Sequence, residues 1–291
     1  MRIEKILSAV DLGPDTERAL AYALWLAQKT GDGAGSIAML YVMDYALTPP
    51  AYLIPYMEEE RIRSGEELRK WSEKLKGFGI KAEHKIASGR LVETFNAEIN
   101  ELGSDILVLG HKSHLIRPSS SERMIKSLQS PMLIVRGKKS EDASLNNVNI
   151  KRILCAVDFS DSSKKALECA AMLSEKSTAE LIAVHCISSL KMEQIFQKCK
   201  NMSENEKNRC VEETTKDMEG QMTAFLRGYD IKEKIVKTGV PYEMINDAAE
   251  QRDADLIVMG ARGLSYIKGV ILGSVSESVI KSSPCPVMIV H

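Results

Sequence analysis

At 291 residues the chain exceeds what one hydrophobic core usually organises, so two units of about 140 residues are expected. Apolar residues are 44% and charged residues 27%, which excludes disordered and fibrous classes, while 5% aromatics argues against a base-stacking nucleic-acid surface. With 39 basic and 40 acidic residues the net charge is −1, which supplies no field for nucleic acid or an anionic membrane and favours a small, neutral partner.

The amino terminus, Met1 to Leu7, is broken by charge, and the longest apolar stretch, Ala19 to Ala27, is far short of a membrane span, so a cytoplasmic protein is expected. Short β-rich runs at 5–10, 37–43, 82–86, 105–109 and 132–135 alternate with segments of helical period in the first half. Pro14, after Gly13, fits the first turn of the first helix. The run from Gly31 through Gly33 and Gly35 to Ser36 imitates a dinucleotide fingerprint, but it precedes a strand and ends in serine. Residues 45–77 form a long charged stretch whose later part reads as helix and whose earlier part reads as a mobile flap.

Arg136 to Asn149 is polar and turn-forming and reads as a linker, which sets domains at 1–138 and 149–291. Beyond it, strands are expected at 152–157, 181–187, 233–237, 255–259 and 287–290. Ser160-Asp161 caps the helix after the first of these and places Ala166, Leu167, Ala170, Ala171 and Leu173 on one face. The stretch 189–228 repeats the charged insertion, and Glu and Lys at helical spacing in 203–219 read as a solvated face. All six cysteines (Cys155, Cys169, Cys186, Cys199, Cys210 and Cys285) lie in this half without a Cys-x-x-Cys pair and read as reduced thiols. The 14 methionines are scattered singly, as core filling would have them. Alternating strand and helix in each half specifies an α/β fold with a five-stranded parallel sheet per copy.

The halves are copies. Lys5 to Leu20 and Arg152 to Leu167 share seven of sixteen residues at an offset of 147. Gly89, Glu93, Asn96, Asp105, Val108 and Gly110 match Gly239, Glu243, Asn246, Asp255, Val258 and Gly260 at 150. Ser121-Glu122, Ile125 to Ser127 and Pro131 match Ser276-Glu277, Ile280 to Ser282 and Pro286 at 155. The last step in the offset places a five-residue shortening of the first copy inside 111–118.

Open α/β sheets bind ligands beyond the carboxyl ends of their strands. After the fourth strand of the second copy, Gly260 to Ser274 has the pattern G-x2-G-x9-G-S. Gly260 and Gly263 let the backbone approach a ligand, and Gly273-Ser274 opens a helix whose free amides, with the Ser274 and Ser276 hydroxyls, suit phosphate oxygens. Arg262 is the charge partner. On these residues, in both copies end to end, the chain resembles the universal stress protein family in its tandem form, and the second copy resembles the ATP-binding branch.

That resemblance implies two doubly wound domains of the adenine nucleotide alpha hydrolase-like fold, with adenine between the ends of strands one and two. It implies Ala156, Val157 and Asp158 near the nucleoside, the Cys186 backbone near the adenine edge, and Val240 and Met259 lining the pocket. Gly260, Arg262, Gly263, Gly273, Ser274, Val275 and Ser276 would hold ribose and phosphates. ATP or AMP is the expected ligand, with Mg2+ accompanying ATP and no metal held by protein groups alone; Asp158 would bond ribose hydroxyls or a metal-bound water, or else cap its helix. The resemblance also implies pairing through the fifth strands, 132–135 and 287–290, as a pseudo-dimer within the chain, with a homodimer left open.

The first copy keeps Asp11 and Gly110 but has Ser113 for Gly263, Pro118 for Gly273 and Ser119 for Ser274. Proline has no amide to donate, so this copy is expected to bind nucleotide weakly or not at all. His111 and His114 have ligand spacing without a third ligand. The leading reading is a sensor or regulatory module with one adenine-nucleotide site; a slow ATPase or adenylate-handling enzyme and a ligand-free interaction module are the alternatives. Against the enzyme, no catalytic base stands beside the phosphate loop and no serine-rich pyrophosphatase loop follows the first strand, where Ala-Val-Asp-Phe stands.

Overall fold

The computed structural model describes residues 2–31, 35–44, 54–111, 119–198, 203–264 and 271–291. They form two compact units, Met1–Asn149 and Ile150–His291. The segment 136–149 belongs to the first unit and folds into turns and a short 3-10 helix, Lys138–Ser140.

Unit 1 runs β1 (Lys5–Ala9), α1 (Thr16–Thr30), β2 (Ser36–Asp44), α2 (Ile54–Lys76), β3 (Lys81–Gly89), α3 (Leu91–Leu102), β4 (Ile106–Gly110), α4 (Ser120–Ser127) and β5 (Met132–Val135). Its strands are all parallel in the order β3-β2-β1-β4-β5. The continuous apolar runs of β4 and β5 suit a sheet covered on both faces. Pro14 does not enter the helix: α1 starts at Thr16 with Asp15 as N-cap, and Pro14 sits in the preceding turn, where the Thr16 amide donates to Gly13 O. Gly31 and Gly35 lie against the end of α1, where a Cβ on either would lie within 2.7 Å of Ala27 O. Residues 32–34 of the glycine-rich decoy and 45–53 of the expected flap lie outside the described residues.

Unit 2 runs β6 (Arg152–Ala156), α5 (Asp161–Ser177), β7 (Glu180–Ser188), α6 (Ser189–Lys198), α7 (Glu204–Phe225), β8 (Glu233–Gly239), α8 (Pro241–Gln251), β9 (Leu256–Gly260), α9 (Ser274–Ser282) and β10 (Val287–Val290). Its parallel order is β10-β9-β6-β7-β8. Ser160 caps α5 by accepting from the Ser163 amide. The buried stripe of α5 includes Cys169, while Ala171 is only half-buried. The start of the second charged insertion is helix α6, not a flap: Met192 packs with Met218 and Ile187, so this stretch has its own small core.

The repeated identities have structural causes. Asp105 Oδ2 accepts from the amides of Glu4 and Lys5, and Asp255 Oδ2 from those of Lys151 and Arg152, pinning the fourth strand of each sheet to its first. Leu12 and Phe159, matched in the repeat, both adopt left-handed backbone, with φ of 57° and 69°. The five described cysteines are free thiols, and Cys199 lies outside the described residues. Among the described residues no helix is long and apolar enough to cross a membrane.

Candidate functional site

The sheet order of unit 2 reverses between β6 and β9, and a cavity of about 580 Å³ opens there, beyond the carboxyl ends of β6, β7 and β9. Ala156, Val157, Asp158, Cys186, Met259, Gly260, Arg262, Gly263, Gly273, Ser274, Val275 and Ser276 all line it. Val240 does not: it is the 40% exposed N-cap of α8, and Pro241 and Ile245 of that helix form the wall instead. Sequence reasoning also passed over Val184, Ser188, Ser163, Leu264, Leu272 and Glu277, which line the cavity too. Val184 and Ser188 were available from period two, since they share the face of β7 that carries Cys186.

The Asp158 carboxylate is fixed by its own turn. Oδ1 accepts from the Ser160 amide at 3.1 Å and the Ser160 hydroxyl at 2.6 Å, while the Asp158 amide donates to Ser163 Oγ at 3.1 Å. A Cβ on Gly263 would collide with Oδ2 of Asp158. A Cβ on Gly260 would lie 2.6 Å from Ser162 Oγ and 2.9 Å from the Ser162 carbonyl carbon. Both glycines therefore make room for protein groups, and both also line the cavity, where ligand approach was expected.

Gly273 is different. Its φ of −72° suits any residue, and among the described residues an added Cβ would meet nothing closer than Ala261 O at 3.4 Å. No described residue demands glycine here, and Gly273 lines the cavity. Gly273 caps α9, its carbonyl accepting from Glu277 N at 2.9 Å, so the amides of Ser274, Val275 and Ser276 precede the first intrahelical bond. Ser276 is only 3% exposed and donates its hydroxyl to Gly260 O at 2.9 Å, so it ties α9 to β9, and the hydroxyl expected to meet phosphate is engaged within the protein. Ser274 is exposed.

Burial pushes the Cys186 thiol up to about 11, and the thiol donates to Gly239 O at 3.6 Å. On the opposite face of β7, His185 stacks on Phe159 with centroids 4.4 Å apart and donates from Nδ1 to Val157 O at 2.8 Å. Desolvation holds this imidazole below its ordinary value. Burial, then Arg262 and Lys165, push His291 down to about 4, which places two cations beside the end of β10. Glu277 pairs with Lys281 at 2.7 Å. Among the described residues no group of three acidic, His or Cys side chains could hold a metal.

The matching end of unit 1 is bound up internally. Ser119 caps α4 in a capping box: its Oγ accepts from Glu122 N at 3.2 Å, and its amide donates to Glu122 Oε2 at 3.0 Å. Buried His111 bonds Ser121 Oγ through Nδ1 at 2.9 Å. Asp44, at the end of β2, pairs with Arg123 at 2.6 Å and accepts from the Leu91 amide at 3.1 Å. Ser113, His114, Pro118 and the shortened loop lie outside the described residues.

Two parallel, doubly wound sheets, one with a cavity at its switch point, define a tandem α/β protein of the adenine nucleotide alpha hydrolase-like fold. The sequence model described as the universal stress protein family matches residues 2–136 and again 149–291. The chain belongs to the universal stress protein family, with two of its domains in tandem. Universal stress protein MJ0577 of Methanocaldococcus jannaschii is 34% identical over 157 residues, covering 50% of this chain and 96% of that protein. YxiE of Bacillus subtilis is 32% identical over 145 residues, covering 48% and 98%. A crystal structure of a universal stress protein from Archaeoglobus fulgidus aligns over 100% of this chain and 97% of its own, with a TM-score of 0.73 at 25% identity.

Proposed function

We propose that this chain is a cytoplasmic stress-response protein that binds one adenine nucleotide, ATP or AMP, in its second unit and acts as a sensor or regulatory module. The observation that carries the reading is the start of α9: a glycine that no described residue crowds, followed by first-turn amides on the wall of a cavity of about 580 Å³. That volume lies in the range of small-molecule sites, and helix-start amides with Arg262 suit phosphate oxygens. Val184, Pro241, Ile245 and Leu272 supply an apolar wall for a base. Asp158, with Oδ1 taken by Ser160, retains Oδ2 for a ribose hydroxyl or for water on Mg2+ carried in with ATP.

Unit 1 acts in this reading as a structural half, because its own side chains occupy the groups that a ligand would use. Met132–Val135 and Val287–Val290, each after a proline, support the further reading that the fifth strands pair as a pseudo-dimer or between chains. Mass spectrometry of small molecules released by denaturing freshly purified protein tests the assignment. An adenine nucleotide near one per chain is expected; release of none, with no uptake of added ATP or AMP, refutes it.

A further inference from the structure

Ser-x-Ser-Glu recurs at the helix after the fourth strand of each sheet, as Ser119 to Glu122 and Ser274 to Glu277, and it stands in two arrangements. In unit 1 the first serine is the N-cap, with φ −68° and ψ 165°, and its glutamate closes the capping box. In unit 2 the cap moves one aligned position back to Gly273, with nearly the same backbone, φ −72° and ψ 154°. Ser274 then becomes the first helical residue, and the Glu277 carboxylate pairs with Lys281 one turn on.

We propose that this segment is a two-state element in unit 2, and that adenine nucleotide selects the Gly273-capped state against a Ser274–Glu277 capping box of the kind seen in unit 1. The inference rests on the nucleotide reading of the cavity. Both states satisfy the glutamate amide, through Gly273 O in one and a serine hydroxyl in the other. They differ in what the helix start offers. The box gives the serine amide to the protein's own carboxylate, whereas the Gly273 cap leaves the first-turn amides to an incoming anion.

Unit 1 has a lock that unit 2 lacks. Ser121 Oγ lies 2.9 Å from both Ser119 Oγ and His111 Nδ1, a chain that holds the capping serine in place. At the matching positions unit 2 has Ala261, with no side chain to join such a chain, and Ser276, whose hydroxyl goes to Gly260 O. Glu277 is thus a positioning residue that acts through the amides of α9.

ATP titration of the full chain and of two variants, read by calorimetry and by the 13C shifts of Ser274, separates the possibilities. Glu277→Ala removes the box, so ATP binding tightens by the share of ligand-free protein that the box holds, about twofold where the two caps are equally populated. Glu277→Gln removes the charge but keeps a box-forming side chain, so a smaller gain is expected. Equal gains in the two variants would mean charge alone and overturn the proposal. Without ATP, Ser274 should share the N-cap shifts of Ser119 in part, moving to helical values on saturation. Helical shifts with and without ATP overturn the switch. If ATP moves no signal at Ala156 or Gly260 either, the nucleotide reading fails with it.

Discussion

Gly260 and Gly110 are the same residue of the repeat in different surroundings, and alanine at each should give different results. A Cβ on Gly260 lies 2.6 Å from Ser162 Oγ, 2.9 Å from the Ser162 carbonyl carbon and 3.0 Å from its Cβ, so the start of α5 must move. A Cβ on Gly110 meets Asp15 Cβ at 3.6 Å, an ordinary contact. Overpacking of this kind costs about 1–3 kcal/mol. For a domain of this size that is a fall in Tm of roughly 3–10 °C. Ser162 also donates to Val290 O at 3.3 Å, so the shift would strain the end of β10 as well. Domain-resolved hydrogen exchange during urea unfolding checks this: Gly260→Ala should destabilise unit 2 alone, and Gly110→Ala should stay within about 0.5 kcal/mol of wild type. Equal losses, or a larger one from Gly110→Ala, would refute the claim that close packing on α5 fixes Gly260.

Among the described residues the fully buried Ser8 Oγ has no hydrogen-bond partner, and the second copy has buried Cys155 there, so Ser8→Cys should stabilise unit 1 by ~1 kcal/mol in the same assay. Gly273→Val should keep wild-type Tm within ~2 °C, since its backbone is ordinary, yet abolish nucleotide uptake; retained binding would contradict the placement of the site at the start of α9. His185 and His291 both have folded values below their unfolded ones, so the unfolded chain binds protons first as pH falls through about 6.5. Their stability contribution is complete above that pH and is lost toward pH 4, and His185→Gln should flatten the loss for unit 2 between pH 6.5 and 5. Maleimide labelling of Cys186 should be slow at pH 7.5, because the thiol sits near 11, and slower still with nucleotide bound.

Strand positions were legible because the inner strands, such as β4, β5, β9 and β10, are continuous apolar runs and the repeat gave two readings of every element, whereas β3 and β8 are charged and mostly not buried. The loop after β9 announced itself through glycines, but their reasons were not legible. Gly260 and Gly263 answer to Ser162 and Asp158, contacts set by how α5 meets the sheet, which spacing along the chain does not encode. The bond of the Ser276 hydroxyl to Gly260 O was likewise not encoded in its spacing. Phe159 and Leu12 take left-handed backbone without a glycine to signal it. Bulk charge near zero suggested a neutral partner, whereas the proposed nucleotide site would depend on local amides and Arg262, which net charge averages away.

The central claim is one nucleotide site per chain, in the second unit. Isothermal titration of the full chain with ATP and with AMP tests it most directly, in wild type, Gly273→Val and Glu122→Ala. A stoichiometry of about one for the nucleotide that binds is expected. It should vanish in Gly273→Val and survive Glu122→Ala. Two equivalent sites, no binding of either nucleotide, or binding that persists in Gly273→Val would contradict it.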